Sequence, residues 1–318
     1  MPATSHASGP GRYARELVRA LVRLPEAPEI GLYEVGRAPR VFAGEALGLE
    51  GARVRRLVST LPRGLREGLP FPGCGPADRA LGGVELFHRI LPGTPRLERA
   101  RTCIAIAELP ARGSGRERAW AAELRAAAGV FVFCADYRER VAERFGVPLE
   151  RIHQVPVGCE HWSRRLPAPI PRADPLQVIA LDSGPHDVLR AAVEHLSSPG
   201  RRVELVLARE LGLSESELPA RVAAASALVH LDPGAGTAVT PLEALALGTP
   251  VVLPRAPAFE EALGEQAFWA EPLEDALEAA LESARDPQAS RARIGYSRAF
   301  SWENSARAHL AVWNRMTN

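Results

Sequence analysis

A glycine-rich loop that leads into a helix start and a glutamate is the strongest candidate for chemistry in this sequence. Residues 234–239 read GAGTAV and are followed by Thr240, Pro241, Leu242 and Glu243. Backbone N–H groups in such a loop and at the start of a helix are suited to bind phosphate. The alternative is structural, because Thr240 at the N-cap, Pro241 at N1 and Glu243 at N3 form a capping box, which needs no ligand.

A second glycine turn stands near the beginning of the chain, in the segment GPGRYARELVRAL at residues 9–21. Gly9 and Gly11 permit a close approach of the backbone, and the helix predicted over 11–24 offers free N–H groups to an anion. The alternative is an ordinary Gly-Pro turn before a helix.

The composition excludes several other kinds of site. All 39 basic residues are arginine, so no lysine is present to hold a phosphate or to form a Schiff base. The four cysteines, at positions 74, 103, 134 and 159, form no C-x-x-C pair, and no D-x-D sequence occurs. We therefore expect no metal site and no disulfide framework, and a reducing cytoplasm fits these thiols. We expect no nucleic-acid binding, since the basic half lacks an aromatic-rich basic motif.

Short apolar runs alternate with helical patterns along the whole chain, which predicts parallel sheets with right-handed crossovers. The proline-rich stretch from Leu166 to Pro175 is typical of a linker. Residues 1–165 carry a net charge of +8 and residues 166–318 a net charge of −7, which indicates either two units with different partners or a drift in surface composition. The strands are predicted at 29–36, 52–59, 84–89, 102–109, 129–134, 152–158, 176–182, 202–208, 227–232, 249–254 and 267–270.

Four segments resemble the family-four retaining glycosyltransferases, and together they span most of the chain. They are residues 9–21, residues 134–160 with their G-V-P turn and V-P-x-G strand end, residues 227–252, and the end of the chain with its Phe-Ser-Trp turn at 300–302. The third segment, ALVHLDPGAGTAVTPLEALALGTPVV, carries the strongest resemblance.

The resemblance implies the GT-B fold: an α/β protein with two Rossmann-like domains facing a cleft and a C-terminal helix that crosses back onto the first domain. The expected domains are an acceptor-side domain over 1–165, a nucleotide-sugar-side domain over 166–298 and a return helix over 299–318. The expected partners are a nucleotide-sugar donor, which is a substrate, and an acceptor of undetermined class, with no separate cofactor.

In terms of residues, the resemblance implies that Glu243 binds the ribose hydroxyls, because a carboxylate can accept two hydrogen bonds from a diol. It also assigns a further set of residues to the donor nucleotide: Gly9, Gly11, His186, Gly236, Ala238, Val239 and Thr240.

Three positions depart from the family's pattern at its functional residues. Ala107 stands where the family has a histidine beside the reacting sugar, Asp187 where it has a lysine for the diphosphate, and Ala235 where it has the first glutamate of its pair. The catalytic residues are therefore unassigned, and two hypotheses stay open: an active glycosyltransferase of glycan, glycolipid or polysaccharide biosynthesis, or a catalytically degenerate relative that binds or scaffolds a partner.

Two expectations concern the beginning of the chain. A buried strand should precede the first glycine turn, but residues 1–8 are too polar to form one, so we expect an annotation artefact at the start. Arg12, Arg15, Arg19 and Arg23 recur every three or four residues. Such a stripe predicts peripheral contact with the anionic inner face of the membrane, the alternative being a solvated helix face.

Overall fold

The structure, a computed structural model, describes residues 9–35, 54–59, 76–93, 95–166, 168, 170–181, 184, 186–232 and 236–317. The chain divides into two compact units. The first unit consists of Met1–Pro156 and Glu303–Asn318, and the second unit is Val157–Trp302. The sequence placed this boundary at 165, just before the proline-rich stretch, and the return to the first unit at 299.

The first unit is built around parallel strands. Its elements before the crossing into the second unit are α1 (Gly9–Leu21), β1 (Ile30–Val35), β2 (Val54–Ser59), α2 (Ala77–Ala80), β3 (Leu86–Arg89), β4 (Arg101–Ala105), α3 (Gly115–Ala126), β5 (Gly129–Val132), α4 (Ala135–Phe145) and β6 (Ile152–Gln154). Among the described residues these strands form two parallel sheets, one of β1 and β2 and one in the order β3-β4-β5-β6.

Burial on both faces explains the apolar runs of the central strands. Every residue of β5 is buried, as are the last three of β4, which is typical of parallel strands covered by helices on both sides. The helices α3 and α4 begin and end at sequence signals. Ser114 accepts a hydrogen bond from the Glu117 N–H as the N-cap of α3, and Gly146 ends α4 at a φ of 66°, in the left-handed region that glycine adopts without strain.

The second unit contains one continuous five-stranded parallel sheet. Its elements are β7 (Leu176–Ala180), α5 (His186–Leu196), β8 (Val203–Leu207), α6 (Leu218–Ala224), β9 (Ala227–Val229), α7 (Val239–Ala246), β10 (Val251–Leu253), α8 (Pro257–Leu263), β11 (Ala267–Trp269), α9 (Leu273–Ser283) and α10 (Pro287–Ser297). The strand order is β11-β10-β9-β7-β8, so the order reverses between β7 and β9.

Two arginines, Arg172, which is half-buried, and Arg293, which is buried, bind the segment that follows α7. The Arg172 guanidinium donates to the Gly248 carbonyl and to the Thr249 hydroxyl, and Arg293 Nε donates to the same Gly248 carbonyl over 2.9 Å. Gly248 has a φ of 74°. Burial lowers the pKa of Arg293 to about 10, which leaves it charged at neutral pH.

The last helix, α11 (Trp302–Thr317), supplies core side chains to the first unit. Tyr13 on α1 hydrogen-bonds His309 Nε2 over 2.7 Å, and the His309 ring stacks on Phe131 of β5 with centroids 5.1 Å apart. His88 of β3 lies 3.3 Å from the Tyr13 hydroxyl and contacts the Trp313 ring edge-on. The core of the first unit thus contains residues from both ends of the chain.

The architecture predicted from the sequence is confirmed: an α/β protein with two parallel-sheet, Rossmann-like domains. The predicted strands all overlap observed ones, whereas three helices, α2, α8 and α10, were not predicted. Cys103 and Cys134 are buried free thiols as expected, and Cys74 lies outside the described residues. In the part of the chain that the structure describes, no helix has the length and apolar character to cross a membrane.

Candidate functional site

The reversal of strand order in the second unit locates a candidate ligand edge. Sheets of this kind bind ligands outside the carboxyl ends of the strands, at the point where the order reverses. Here that point lies between β7 and β9, whose last residues Ala180 and Val229 are paired in register. The helix α5, which follows β7, and the helix α7, which follows β9, are therefore brought to the same edge of the sheet.

Glu243 lies inside α7 and has no exposed surface. The predicted capping box is wrong, because α7 begins at Val239 with Ala238 as its N-cap and no side-chain cap bond. Thr240 is therefore already inside the helix, and the N–H of Val239 is bonded by Thr237 Oγ1 over 3.2 Å. With its capping role removed, Glu243 is a fully buried carboxylate near the ligand edge, which calls for a polar partner.

His161 is that partner. Its Nε2 lies 3.2 Å from Glu243 Oε1, and its side chain is only 5% exposed. The other ring nitrogen, Nδ1, accepts a hydrogen bond from the Trp302 indole N–H over 3.0 Å. An imidazole from a distant part of the sequence thus lies against the carboxylate of the candidate site, and a tryptophan hydrogen-bonds that imidazole.

The segment next to His161 is fixed by backbone contacts with the Phe-Ser-Trp turn. The Glu160 carboxylate accepts from the Trp302 backbone N–H over 3.0 and 3.1 Å, and the Cys159 N–H donates to the Phe300 carbonyl over 3.2 Å. Gly158 is required for this approach, since a Cβ there would overlap the Trp302 backbone. Trp302 is thus a hydrogen-bond donor as well as a buried packing residue.

The charged side chains that act on the Cys159 thiol are acidic. Burial raises the pKa of the Cys159 thiol, and the nearby charges of Glu160 and Glu243 raise it further. Cys159 is therefore a protonated thiol at neutral pH, which excludes it as a thiolate nucleophile in this state.

The other predicted residues of the loop before α7 lie close to one another in sequence and differ in exposure. Gly236, Ala238 and Val239 are buried, and Thr240 is half-buried. Ala235 lies outside the described residues, so its comparison with the family's first glutamate stays a sequence argument.

His186 is the first residue of α5 and is half-buried, and Asp187 beside it is exposed in the first turn. An acidic residue at this position stabilises a helix through its interaction with the helix dipole. Asp187 therefore has a structural reason to occupy the place where the family has a lysine, and it adds negative charge at the ligand edge.

Gly9 and Gly11 lie in the first unit, within the first turn of α1. The helix begins at Gly9 rather than after the predicted turn, and a Cβ at Gly9 would meet none of the described residues within 4 Å. Close packing against the described part of the chain therefore does not explain the glycine at this position. A role toward a ligand stays a prediction for both glycines.

The predicted stripe of surface arginines on α1 is wrong for its first two members. Arg12 is 1% exposed and Arg15 is 3% exposed, although Arg23 is exposed. Glu16 accepts from Arg15 Nε over 2.9 Å and from Arg19 over 2.6 Å. Arginines that are buried in this way cannot rest on lipid, so the expected contact with an anionic membrane loses its basis.

Ala107 follows β4 and is buried in the first unit. Its methyl group can neither donate a hydrogen bond nor transfer a proton, so no acid or base is present where the resemblance places the family's histidine. Within the described residues, no three histidine, cysteine, aspartate or glutamate side chains cluster closely enough to hold a metal ion.

No protein-family model matches the sequence, and no curated protein matches it. Solved structures do match. Sucrose-phosphate synthase from Thermosynechococcus elongatus superposes with a TM-score of 0.67 at 17% identity, over 97% of this chain and 94% of that chain. WaaG, a glycosyltransferase involved in lipopolysaccharide biosynthesis, superposes with a TM-score of 0.60 at 14% identity, over 94% and 93%. A glycosyltransferase from Rickettsia africae superposes with a TM-score of 0.57 at 11% identity, over 91% and 98%.

These matches confirm the fold, which is that of the GT-B glycosyltransferases, and at such low identity they show the fold alone. Membership of family four and the roles of individual residues stay predictions.

Proposed function

We propose that this chain is a sugar-nucleotide-dependent glycosyltransferase whose second unit binds the donor. The observation that carries the proposal is the place of Glu243: a buried carboxylate on the helix that follows β9, at the edge where the strand order reverses. A carboxylate accepts two hydrogen bonds from a ribose diol, and the residues at the start of α7 offer N–H groups to the phosphates.

The proposed reaction transfers a hexosyl group from the nucleotide diphosphate to an acceptor, with retention, in glycan, glycolipid or polysaccharide biosynthesis. Binding requires that the groups covering Glu243 move aside, because the carboxylate has no exposed surface in this state. A cytoplasmic location belongs to the same proposal and is supported by the free, buried thiols at 103, 134 and 159.

Calorimetric titration with a panel of nucleoside diphosphates and nucleotide-sugars tests donor binding. We expect Glu243→Gln to weaken the affinity about tenfold or more, because it removes the charge that a diol recognises. The matched control is Glu278→Gln, since Glu278 lies on α9 and pairs with Arg201 over 2.6 Å, just before the amino end of β8. Equal affinity of Glu243→Gln and the wild-type protein would contradict the ribose assignment.

A catalytically degenerate relative is the second candidate, and Ala107 together with the exposed Asp187 favours it. Retaining transfer needs positive charge or donors on the leaving diphosphate. Hydrolysis of the nucleotide-sugar in the absence of acceptor distinguishes the enzyme from the degenerate relative. It is measured as the release of the nucleoside diphosphate. Binding without any turnover across the donor panel would favour the binding protein over the enzyme.

A further inference from the structure

The contact between His161 and Glu243 carries an inference that rests on the proposed donor site and extends it. The two residues are 82 positions apart, and both are almost fully enclosed. We propose that His161 is a positioning residue, which holds the Glu243 carboxylate in place for a nucleotide's ribose, and that Trp302 sets the tautomer in which His161 can do so.

The tautomer follows from the hydrogen bond at the other side of the ring. An indole N–H is only a donor, so His161 Nδ1 must accept from Trp302 Nε1. In a neutral imidazole the proton is then on Nε2, the nitrogen that lies 3.2 Å from Glu243 Oε1. Trp302 thereby directs a donor, and not a lone pair, toward the carboxylate.

The ring itself is held on more than one side. Trp302 is 3% exposed, and its ring meets that of His161 edge-on with centroids 5.9 Å apart. The Trp302 backbone N–H is bound by Glu160, the residue next to His161. These contacts leave the imidazole little freedom to turn away from Glu243.

The N–H donor on His161 Nε2 matters because the Glu243 carboxylate is buried. Burial disfavours an ionised carboxylate, and a nearby N–H donor favours it. Within the described residues, Nε2 lies at contact distance without completing a well-directed hydrogen bond. Nε2 is nevertheless the proton-bearing nitrogen that lies 3.2 Å from Oε1, so it is placed to favour the ionised carboxylate.

Two substitutions of His161 distinguish the contact that Nε2 makes with Glu243 from the contact that Nδ1 makes with Trp302. In His161→Gln the amide nitrogen reaches the position of Nε2 and can still donate to Glu243. In His161→Asn the shorter side chain can meet only the Trp302 indole. We expect His161→Asn to lower the affinity for the nucleoside diphosphate that binds the wild-type protein by tenfold or more, and His161→Gln to restore it to within about threefold.

Trp302→Phe removes the indole donor and keeps most of the packing. Without the indole donor, either ring nitrogen of His161 can carry the proton. We therefore expect a loss of nucleotide affinity that lies between the losses in His161→Gln and His161→Asn. Thermal melting of all variants verifies that they fold. If His161 served folding alone, the nucleotide affinity of His161→Gln would not be higher than that of His161→Asn.

A double-mutant cycle that combines His161→Asn with Glu243→Gln tests whether His161 acts through the carboxylate. In the Glu243→Gln background, His161→Asn should cause no further loss. If nucleoside diphosphates do not bind the wild-type protein, the proposed function and this inference both fail. Two outcomes would contradict the inference alone, provided that nucleoside diphosphates bind and that Glu243→Gln weakens their binding. One is that His161→Asn leaves the affinity unchanged. The other is that His161→Asn causes the same loss of affinity in the Glu243→Gln background as in the wild-type protein.

Discussion

Each unit buries histidines, but their surroundings differ. In the first unit, His88 and His309 are enclosed by aromatic rings and a tyrosine hydroxyl, and burial lowers the pKa of both, that of His309 to about 4. In the second unit, His161 lies against a buried carboxylate. The difference teaches that burial of a titratable side chain does not by itself mark a functional site. A neutral imidazole among rings is explained by packing, whereas a carboxylate enclosed at the ligand edge of a sheet is not.

The hydrogen bonds of the first cluster are consistent with neutral rings. His309 Nδ1 lies 2.7 Å from the Ser305 carbonyl oxygen, which can only accept, so Nδ1 carries the proton and Nε2 accepts from Tyr13. Tyr13 in turn can accept from His88 Nε2. Protonation of either histidine would place an uncompensated charge among Phe131 and the other rings.

The largest expected effect is therefore the response of the first unit to acid. The pKa of His309 is lowered from 6.5 to about 4 in the folded state, so below pH 6.5 the unfolded chain binds more protons. Stability is complete above that pH and falls as the pH is lowered, by roughly 3 kcal/mol at pH 4 from His309 alone, with a further loss from His88. Hydrogen exchange should lose protection in β3 to β5 before β7 to β10.

His309→Gln sharpens this test, because glutamine can still hydrogen-bond Tyr13 but does not titrate. We expect a weaker dependence of the free energy of unfolding on pH between 6.5 and 4. If the second unit loses protection at the higher pH, the contrast between the two units is wrong.

The next largest effect is expected at Gly158. A Cβ there would overlap the Trp302 backbone, which the bond from Cys159 to Phe300 holds in place. We expect Gly158→Ala to lower the free energy of unfolding of the second unit by about 2–3 kcal/mol, as overpacking does. The control is Gly295→Ala, in open space on the exposed side of α10, which should stabilise by about 0.5–1 kcal/mol. Urea denaturation measures both, and similar values for the two variants would refute the close approach.

Arg172 provides a smaller effect within the second unit. Its guanidinium satisfies the Gly248 carbonyl, the Thr249 hydroxyl and the carbonyls at the C-terminal end of α6. Arg172→Met would remove the donor from the carbonyls at the end of α6 and leave the Gly248 carbonyl to Arg293, at a cost of about 2 kcal/mol. Arg202→Met, which removes only an exposed pair with Glu204, should change stability by less than about 0.5 kcal/mol. Calorimetric melting of both variants tests whether burial makes this difference.

The smallest effect is expected where α11 meets the turn that follows α1, at the surface of the first unit. Arg307 pairs with Glu26 over 2.7 Å and with Glu303 over 3.1 Å, and all three side chains are about half exposed or more. Arg307→Ala should cost about 0.5 kcal/mol or less, and 1 M salt should remove the difference from the wild-type protein. A larger loss would mean that surface charge, rather than the rings of His309 and Trp313, attaches α11.

Local patterns were sufficient to predict the strands and most helices, because apolar period and turn residues act over short stretches. The missed helix α10 had a readable signal, since Asp286 is its N-cap and Pro287 its first residue. The capping box at Thr240 was a good local pattern that the structure does not use, because the helix starts two residues earlier than that pattern requires. The sequence therefore left open a structural explanation of Glu243 that the fold removes.

His161 illustrates what local patterns cannot predict. Its two partners, Glu243 and Trp302, are 82 and 141 residues away in sequence, and only the crossing segment and the Phe-Ser-Trp turn bring them together. A single histidine after a V-P-x-G strand end gives no sign of either contact. The same holds for Tyr13 and His309, which are 296 residues apart.

The return of α11 to the first unit has a consequence for the order in which the protein folds during synthesis. Domains fold as units, usually from the N-terminus onward as the ribosome proceeds. Here the core of the first unit lacks His309 and Trp313 until residues 303–317 have been translated, after the whole of the second unit. The segment that is made second is thus the one that can complete its fold first, and the nascent first unit must wait without the rings that α11 packs against Phe131 of β5.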